Sequence, residues 1–306
     1  MGSSVRTDLA AEARELAGQS IAGVESTVDN RDQDITVTTV RVLNDIGAQA
    51  MGKPVGLYIN IDAAELKNRD PEFVERVSRR MGDELKKMLP GFGKEGTVLV
   101  VGLGNWNITP DALGPRVVEK LMVTRHLIQL IPDQVDERVR SVCAMAPGVL
   151  GITGIETGEI ILGVVEKIKP TAMVAIDALA SRSTARLGTT IQITDSGICP
   201  GSGVGNHRMQ LNTQTLGVPV ISIGVPLVVY AGTIARDVIE LLDGTTAGDQ
   251  AEGMIRKVVS EHLGDLIVTP KEIDAIVDDV ARLVALGINL SIHDGVTVDE
   301  IDRFMM

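Results

Sequence analysis

Along the chain, apolar runs alternate with segments whose apolar residues recur at helical spacing. The runs predict strands at 35–40, 55–61, 97–104, 139–146, 171–178, 189–195 and 218–225. Several are continuous runs of Val and Ile, which is typical of strands covered on both faces. The pattern therefore predicts an α/β fold, a doubly wound and mostly parallel sheet with helices on both faces.

Two of the predicted helices carry boundary signals. One begins with Asp70 as N-cap and Pro71 at its first position. Near the end of the chain, Thr269 and Glu272 predict a capping box, and Gly287 predicts the end of that helix. The stretch GPRVVEKLMVTRHL is predicted to form one helix.

Composition and charge exclude several classes of function. The 306 residues carry a net charge of −12, which disfavours binding to nucleic acid or to anionic lipid. Residues 209–235 have no charged side chain, but their prolines and glycines argue against a membrane-spanning helix. Two cysteines and no N-terminal apolar segment of the signal-peptide type predict a reduced, cytoplasmic protein.

Candidate chemistry lies where apolar runs end, because open parallel sheets bind ligands at the carboxyl ends of their strands. Asp111, Asp177 and Asp195 follow such runs. Two carboxyl groups at close range cannot both ionise cheaply, so one keeps a proton while the other activates water, as peptide hydrolysis by paired acids requires. The alternative is that each aspartate only caps a helix or binds loop amides.

Two glycine-rich stretches suggest other activities. GLGNWN follows a predicted strand and is similar to a dinucleotide fingerprint without its third glycine. The second contains Gly201, Gly203, Gly205 and His207, and is predicted to form a substrate-facing loop. A metal-dependent peptidase would use Asp111, Asp177 and His207 together, although no close pair of metal-ligating histidines occurs.

Longer blocks of the sequence resemble the spore germination protease family. These blocks are VRTDLA, VVGLGNWNITPDALGP, TRHL, PGVLGITGIET, AIDALASRS, TDSGICPGSGVGN and TPKEIDAIVDDVARLVALGINLSIH. They follow the family's order and cover nearly all of the chain. The resemblance implies a phosphorylase/hydrolase-like fold similar to that of hydrogenase-maturation peptidases.

The resemblance also implies an activity and its residues. It implies an aspartic-type endopeptidase that degrades small acid-soluble spore proteins during germination, with Asp111 and Asp177 as the catalytic pair and no metal or other cofactor. We expect Asp177, at the end of an apolar strand, to hold the proton and Asp111 to orient water. Asp195 matches a family aspartate without an assigned role. A homotetramer in the forespore and spore core is implied as well.

The first residues resemble a cleavage site of the family's own substrates. Those substrates are cut after an acidic residue that follows Ser or Thr and precedes a hydrophobic residue and Ala, and Thr7-Asp8-Leu9-Ala10 has this form. We therefore expect a zymogen that cuts itself between Asp8 and Leu9, with residues 1–8 as pro-segment and 9–306 as a single catalytic domain. The alternatives are that Asp8 is a helix N-cap, and that the protein sequesters spore proteins without cutting them.

Overall fold

The computed structural model describes residues 7–18, 21–89, 91, 96–199, 209–235 and 266–305. Within these residues nine strands form one sheet. The strands are β1 Val24–Asp32, β2 Ile35–Val42, β3 Gly56–Asp62, β4 Thr97–Gly102, β5 Ser141–Met145, β6 Ala172–Ser181, β7 Thr190–Thr194, β8 Val220–Tyr230 and β9 Ile267–Val268. Each predicted strand is present, with ends shifted by a few residues, whereas β1 and β9 were not predicted.

Helices connect the strands and cover the sheet. They are α1 Ala10–Ala17, α2 Asp45–Met51, α3 Pro71–Met88, α4 Leu113–Glu119, α5 Arg125–Leu130, α6 Leu150–Thr153, α7 Thr157–Ile168, α8 Thr213–Leu216, α9 Ile273–Ile292 and α10 Val298–Met305. Short 3₁₀ turns lie at Ala64–Asn68, Thr109–Asp111, Pro132–Gln134 and Thr184–Arg186.

The sheet has a parallel half and an antiparallel half. Its strand order is β1-β2-β3-β7-β8-β6-β4-β5, with β9 paired to β8. Strands β5, β4, β6 and β8 run parallel to one another, whereas β7, β3, β2 and β1 each run antiparallel to their neighbours. The predicted α/β class with a parallel sheet is confirmed, and the antiparallel half extends it beyond β8.

Helices pack on both faces of the sheet, as predicted. Alternate residues of β4 point to opposite faces: Val98 and Val100 join the core under α3, α4 and α9, and Leu99 and Val101 join the core under α7. Helices α1 and α2 lie over β2 and β3 in a third, smaller apolar cluster. This alternation fixes which side chains of the central strands share a face.

The boundary signals were correct for α3 and wrong for α9. Asp70 caps α3 by accepting a hydrogen bond from the Glu72 N–H at 3.2 Å. Helix α9 begins only at Ile273, and the Thr269 hydroxyl donates instead to a main-chain carbonyl of β8 at 2.9 Å. Gly287 does not end α9, which continues to Ile292. Its lack of a side chain instead lets α9 approach α3 closely.

The stretch GPRVVEKLMVTRHL forms two short helices, so the prediction of one helix was wrong. Between α4 and α5 the backbone leaves the helical path because it bonds elsewhere. The Met122 N–H donates to the Asn289 side chain at 3.1 Å, and the Thr124 N–H donates to the Val142 carbonyl at 3.0 Å. These bonds tie the segment to α9 and β5.

The uncharged stretch 209–235 contains α8 and β8, and most of β8 is buried in the sheet. Across the part of the chain that the structure describes, none of the helices combines the length and the apolar character that crossing a bilayer requires.

Candidate active site

Asp111 lies in the connection that follows β4. After β4 the Leu103 N–H donates to the Ile176 carbonyl of β6 at 2.8 Å, and a 3₁₀ turn then ends at Asp111. The Asp111 carboxylate accepts a hydrogen bond from the Asn105 N–H at 2.9 Å, which fixes its position in the loop. The side chain therefore stands at the carboxyl end of β4, next to the end of β6.

A glycine at position 104 makes this loop geometry feasible. Gly104 has a φ of +113°, and a Cβ added to it would lie 1.9 Å from the Asp111 carbonyl oxygen. Any other residue would force the loop away from Asp111. The sequence GLGNWN therefore serves to place Asp111. It does not form a dinucleotide site, in which a helix begins directly at the glycine loop, because α4 begins only at Leu113.

Asp177 lies on β6, in register with Gly224 of β8. Its carboxylate accepts a hydrogen bond from the Ala178 N–H at 2.9 Å. Burial, and after it the negative charge of Asp111, raise the pKa of Asp177 to about 8. The structure thus brings the first two predicted aspartates within electrostatic range, and Asp177 keeps its proton at neutral pH.

Asp195 does not join this pair. Because β7 runs antiparallel to β8, its carboxyl end points away from the edge of the sheet where Asp111 and Asp177 lie. The Asp195 carboxylate accepts a hydrogen bond from the Leu57 N–H at 2.7 Å and ties β7 to β3. Asp195 was a candidate because it follows an apolar run, but the strand-end rule applies to parallel strands and β7 is antiparallel.

The N-terminal segment pairs with β6 at Ala180, three residues after Asp177. The Asp8 N–H donates to the Ala180 carbonyl at 2.9 Å, and the Ala180 N–H donates to the Asp8 carboxylate at 2.8 Å. The negative charge of Asp8 also contributes to the raised pKa of Asp177. Helix α1 begins at Ala10 with Leu9 as its N-cap, so Asp8 binds β6 and is not a helix cap.

The residues after Asp8 are held in the core. Leu9 and Ala10 are fully buried. The buried Glu12 carboxylate accepts hydrogen bonds from the Arg182 N–H at 2.7 Å and the Ser183 N–H at 3.0 Å, just after β6. These bonds fix the Asp8–Leu9 peptide group at the end of the strand that carries Asp177.

Sequence reasoning missed two side chains that hold this segment. The buried Gln192 of β7 bonds to the backbone of Asp8 and Ala10. The Lys53 ammonium donates to the Thr7 carbonyl at 2.9 Å, and burial lowers the pKa of Lys53. Both come from elements that are distant in sequence from residues 7–10, so no local motif identifies them.

The remaining candidate residues lie outside the described residues, and the cysteine of β5 lacks the character of a nucleophile. Gly201, Gly203, Gly205 and His207 lie outside the described residues. Cys143 lies on β5, where burial raises the pKa of its thiol, the opposite of what an activated nucleophile needs. Within the described ranges, no group of three or more His, Cys, Asp or Glu side chains is arranged to hold a metal ion.

Comparisons with known proteins agree with the resemblance. The profile of the family described as germination protease matches residues 5–253 and 242–305. A germination protease of Clostridium perfringens is 49% identical, with 99% of each chain covered. One from Caldanaerobacter subterraneus is 47% identical, with 98% of each chain covered. One from Bacillus cereus is 39% identical, with 97% of this chain and 95% of that protein covered.

Among solved structures, the [NiFe] hydrogenase maturation protease HycI from Thermococcus kodakarensis is 19% identical with a TM-score of 0.33, and covers 67% of this chain and 98% of its own. The match to the family profile and the sequence relatives cover nearly the whole chain. The chain therefore belongs to the germination protease family and is a protease.

Proposed function

We propose that this protein is an endopeptidase in which Asp111 and Asp177 together hydrolyse a peptide bond. The observation that carries the proposal is the juxtaposition of the two carboxyl groups at the end of β6, where Asp8 also binds. A partly buried carboxyl group that keeps its proton beside one that can ionise is the arrangement that acid–base hydrolysis needs.

Each aspartate has a separate role in this mechanism. The Asp111 carboxylate, held by the Asn105 N–H, accepts a proton from the attacking water. Asp177 gives its proton to the nitrogen of the leaving amine. Moving one proton from Asp111 to Asp177 restores the starting state. Because the two groups interact, the pair titrates as one unit.

We further propose that the chain is a zymogen that cuts itself between Asp8 and Leu9. The docking of residues 7–10 along the end of β6 supports this, because Asp8 pairs with Ala180 of the strand that carries Asp177 and its charge acts on the Asp177 carboxyl group. Residues 1–8 are then the pro-segment and residues 9–306 the catalytic domain. In this proposal the segment lies where a substrate would bind, and its removal opens the site.

The proposed substrates are the small acid-soluble spore proteins, degraded at germination. The contacts that Asp8, Leu9 and Ala10 make define the substrate pattern: a carboxylate held by the Ala180 N–H, then two fully buried residues, the second of them small. Chains without stable structure can present an extended backbone for pairing with β6. On the family resemblance we also propose a homotetramer in the forespore and spore core.

The test is incubation of the protein with an unstructured peptide containing Thr-Glu-Ile-Ala, followed by mass spectrometry. We expect a single cut after Glu, and a much slower cut in a matched peptide with Gln at that position, because the Ala180 N–H then loses its charged acceptor. A stable complex with no new peptide termini would identify a binding protein instead. Loss of cleavage on exhaustive chelation would favour the metal-dependent alternative with Asp111, Asp177 and His207.

A further inference from the structure

The side chain of Gln192 bonds to the backbone on both sides of the Asp8–Leu9 peptide bond. Its Nε2 donates to the Asp8 carbonyl oxygen at 3.1 Å, and its Oε1 accepts from the Ala10 N–H at 2.7 Å. The Asp8 carbonyl is the group that water attacks if the chain is cut at this bond. Gln192 therefore contacts an atom on which negative charge would develop during cleavage.

We propose that Gln192 is a catalytic residue that stabilises the oxyanion formed on the carbonyl oxygen of the scissile bond. This inference rests on the proposed function, because it requires that the Asp8–Leu9 bond is the one cut. An amide donor fixed before reaction, in a site that excludes water, stabilises developing charge without the cost of reorganising solvent. Gln192 meets this condition because it is only 6% exposed.

Cleavage of the Asp8–Leu9 bond begins with the addition of water. The water oxygen adds to the Asp8 carbonyl carbon while one water proton passes to the Asp111 carboxylate. The carbonyl π electrons move to the oxygen held by Gln192 Nε2. An electron pair on that oxygen then re-forms the C=O bond as the C–N bond breaks. The C–N electron pair stays on the Leu9 nitrogen, which takes the proton of Asp177, and the new carboxyl group of Asp8 leaves with the water oxygen.

The sheet places Gln192 on the correct face for this role. Asp177 is in register with Gly224 of β8, and Gly224 is in register with Gln192 of β7. Residues paired in register point to the same face, and neighbouring strands lie about 4.8 Å apart, so the backbones of Asp177 and Gln192 are roughly 10 Å apart. Side chains from both can reach one peptide group lying between them.

A neutral amide suits this position better than a charged group does. It offers a donor to the scissile carbonyl and an acceptor to a backbone N–H, and it therefore recognises main chain and not a particular side chain. The next residue in register, Asn60, is also fully buried, and its amide makes no hydrogen bond within the described residues. The face beneath residues 8–10 is therefore polar although it is buried.

The test measures the rate at which the full-length chain forms a new N-terminus at Leu9, by intact mass, for Gln192→Leu and Gln192→Glu. We expect both variants to cut about 100- to 1,000-fold more slowly near neutral pH, the usual effect of removing one oxyanion donor. As pH falls and the carboxyl group introduced by Gln192→Glu protonates, it regains an O–H donor. The rate of Gln192→Glu relative to the unmodified chain should therefore rise.

Thr194→Val is the matched control. Thr194 lies on the same face of β7, is also 6% exposed, and bonds to Ser196 instead of to the N-terminal segment. This variant should lose some stability in urea unfolding but keep the cleavage rate within about threefold. A merely structural role for Gln192 would make the two positions behave alike and would give no recovery at low pH.

The outcomes separate this inference from the proposed function. If Gln192→Glu cuts at the unmodified rate near neutral pH while Asp177→Asn is inactive, the role of Gln192 is refuted and the aspartate pair stands. If Asp177→Asn cuts normally, the proposed function itself fails. Should Gln192→Leu not fold, the pH dependence of Gln192→Glu decides, because that variant keeps the acceptor and the shape of the side chain.

Discussion

Replacing Asp177 by Asn should stabilise the folded protein, and by an amount that grows with pH. The folded-state pKa of Asp177 is about 8, against 3.8 for a free side chain. Between these values the folded protein retains a proton that the unfolded chain has lost. The free energy of unfolding therefore falls as pH rises through this window, and Asn, which does not ionise, removes that dependence.

The size of the effect follows from the shift. One pKa unit corresponds to about 1.4 kcal/mol, so at pH 7 the upper bound is about 4 kcal/mol, and near pH 4 it is below about 1 kcal/mol. Asp177 is only partly buried, and screening by solvent reduces these figures. We expect Asp177→Asn to raise the free energy of unfolding by about 2 to 3 kcal/mol at pH 7 and by little at pH 4.

The assay is urea unfolding at several pH values, with intact mass measured before and after to confirm that no chain was cut. Gly163→Ala is the control: this exposed glycine of α7 has open space around it, so Ala should add about 0.5 to 1 kcal/mol at every pH. An effect of Asp177→Asn that is equally large at pH 4 and pH 7 would refute the reasoning, because it would mean that Asp177 ionises normally in the fold.

Three further predictions test the arrangement around the cleft. Gly104→Ala should reduce peptide cleavage more than tenfold and lower the free energy of unfolding by about 2 kcal/mol or more, because the added Cβ would displace Asp111. Unchanged kinetics would show that Gly104 does not position Asp111. Glu12→Ala should cost about 2 to 3 kcal/mol in urea unfolding, since it leaves the partly buried N–H groups of Arg182 and Ser183 without their acceptor. Glu15→Ala, which removes an exposed ion pair on the same helix, should cost less than about 1 kcal/mol; equal costs would contradict the role of Glu12. The kcat/KM for a peptide substrate should fall as pH rises through about 8, where Asp177 loses its proton; a rate that stays level beyond pH 9 would contradict a protonated Asp177.

The sequence predicted the parallel half of the sheet well, because strands buried on both faces are continuous apolar runs. Strand β1 was missed because VESTVDNRD is polar and lies at the edge of the sheet. The direction of β7 was missed because an apolar run has the same pattern in either orientation. Asp195 was therefore among the strand-end candidates although β7 runs antiparallel to β8.

The candidate pair was predictable, whereas its surroundings were not. Their position after apolar runs made Asp111, Asp177 and Asp195 candidates, and the family resemblance selected the first two. Gln192 sits inside the apolar run of β7, where a polar residue gives no signal of function. Its contacts with Asp8 and Ala10 depend on how the N-terminal segment folds back onto the sheet.

The most direct test of the central claim is the intact mass of the full-length chain after incubation, compared for the unmodified protein, Asp111→Asn and Asp177→Asn. Circular dichroism and urea unfolding verify that each variant is folded. We predict a new N-terminus at Leu9 in the unmodified protein and an intact chain in both variants. A Leu9 terminus that forms at the unmodified rate in either variant would contradict the claim that these two carboxyl groups cut the peptide bond together.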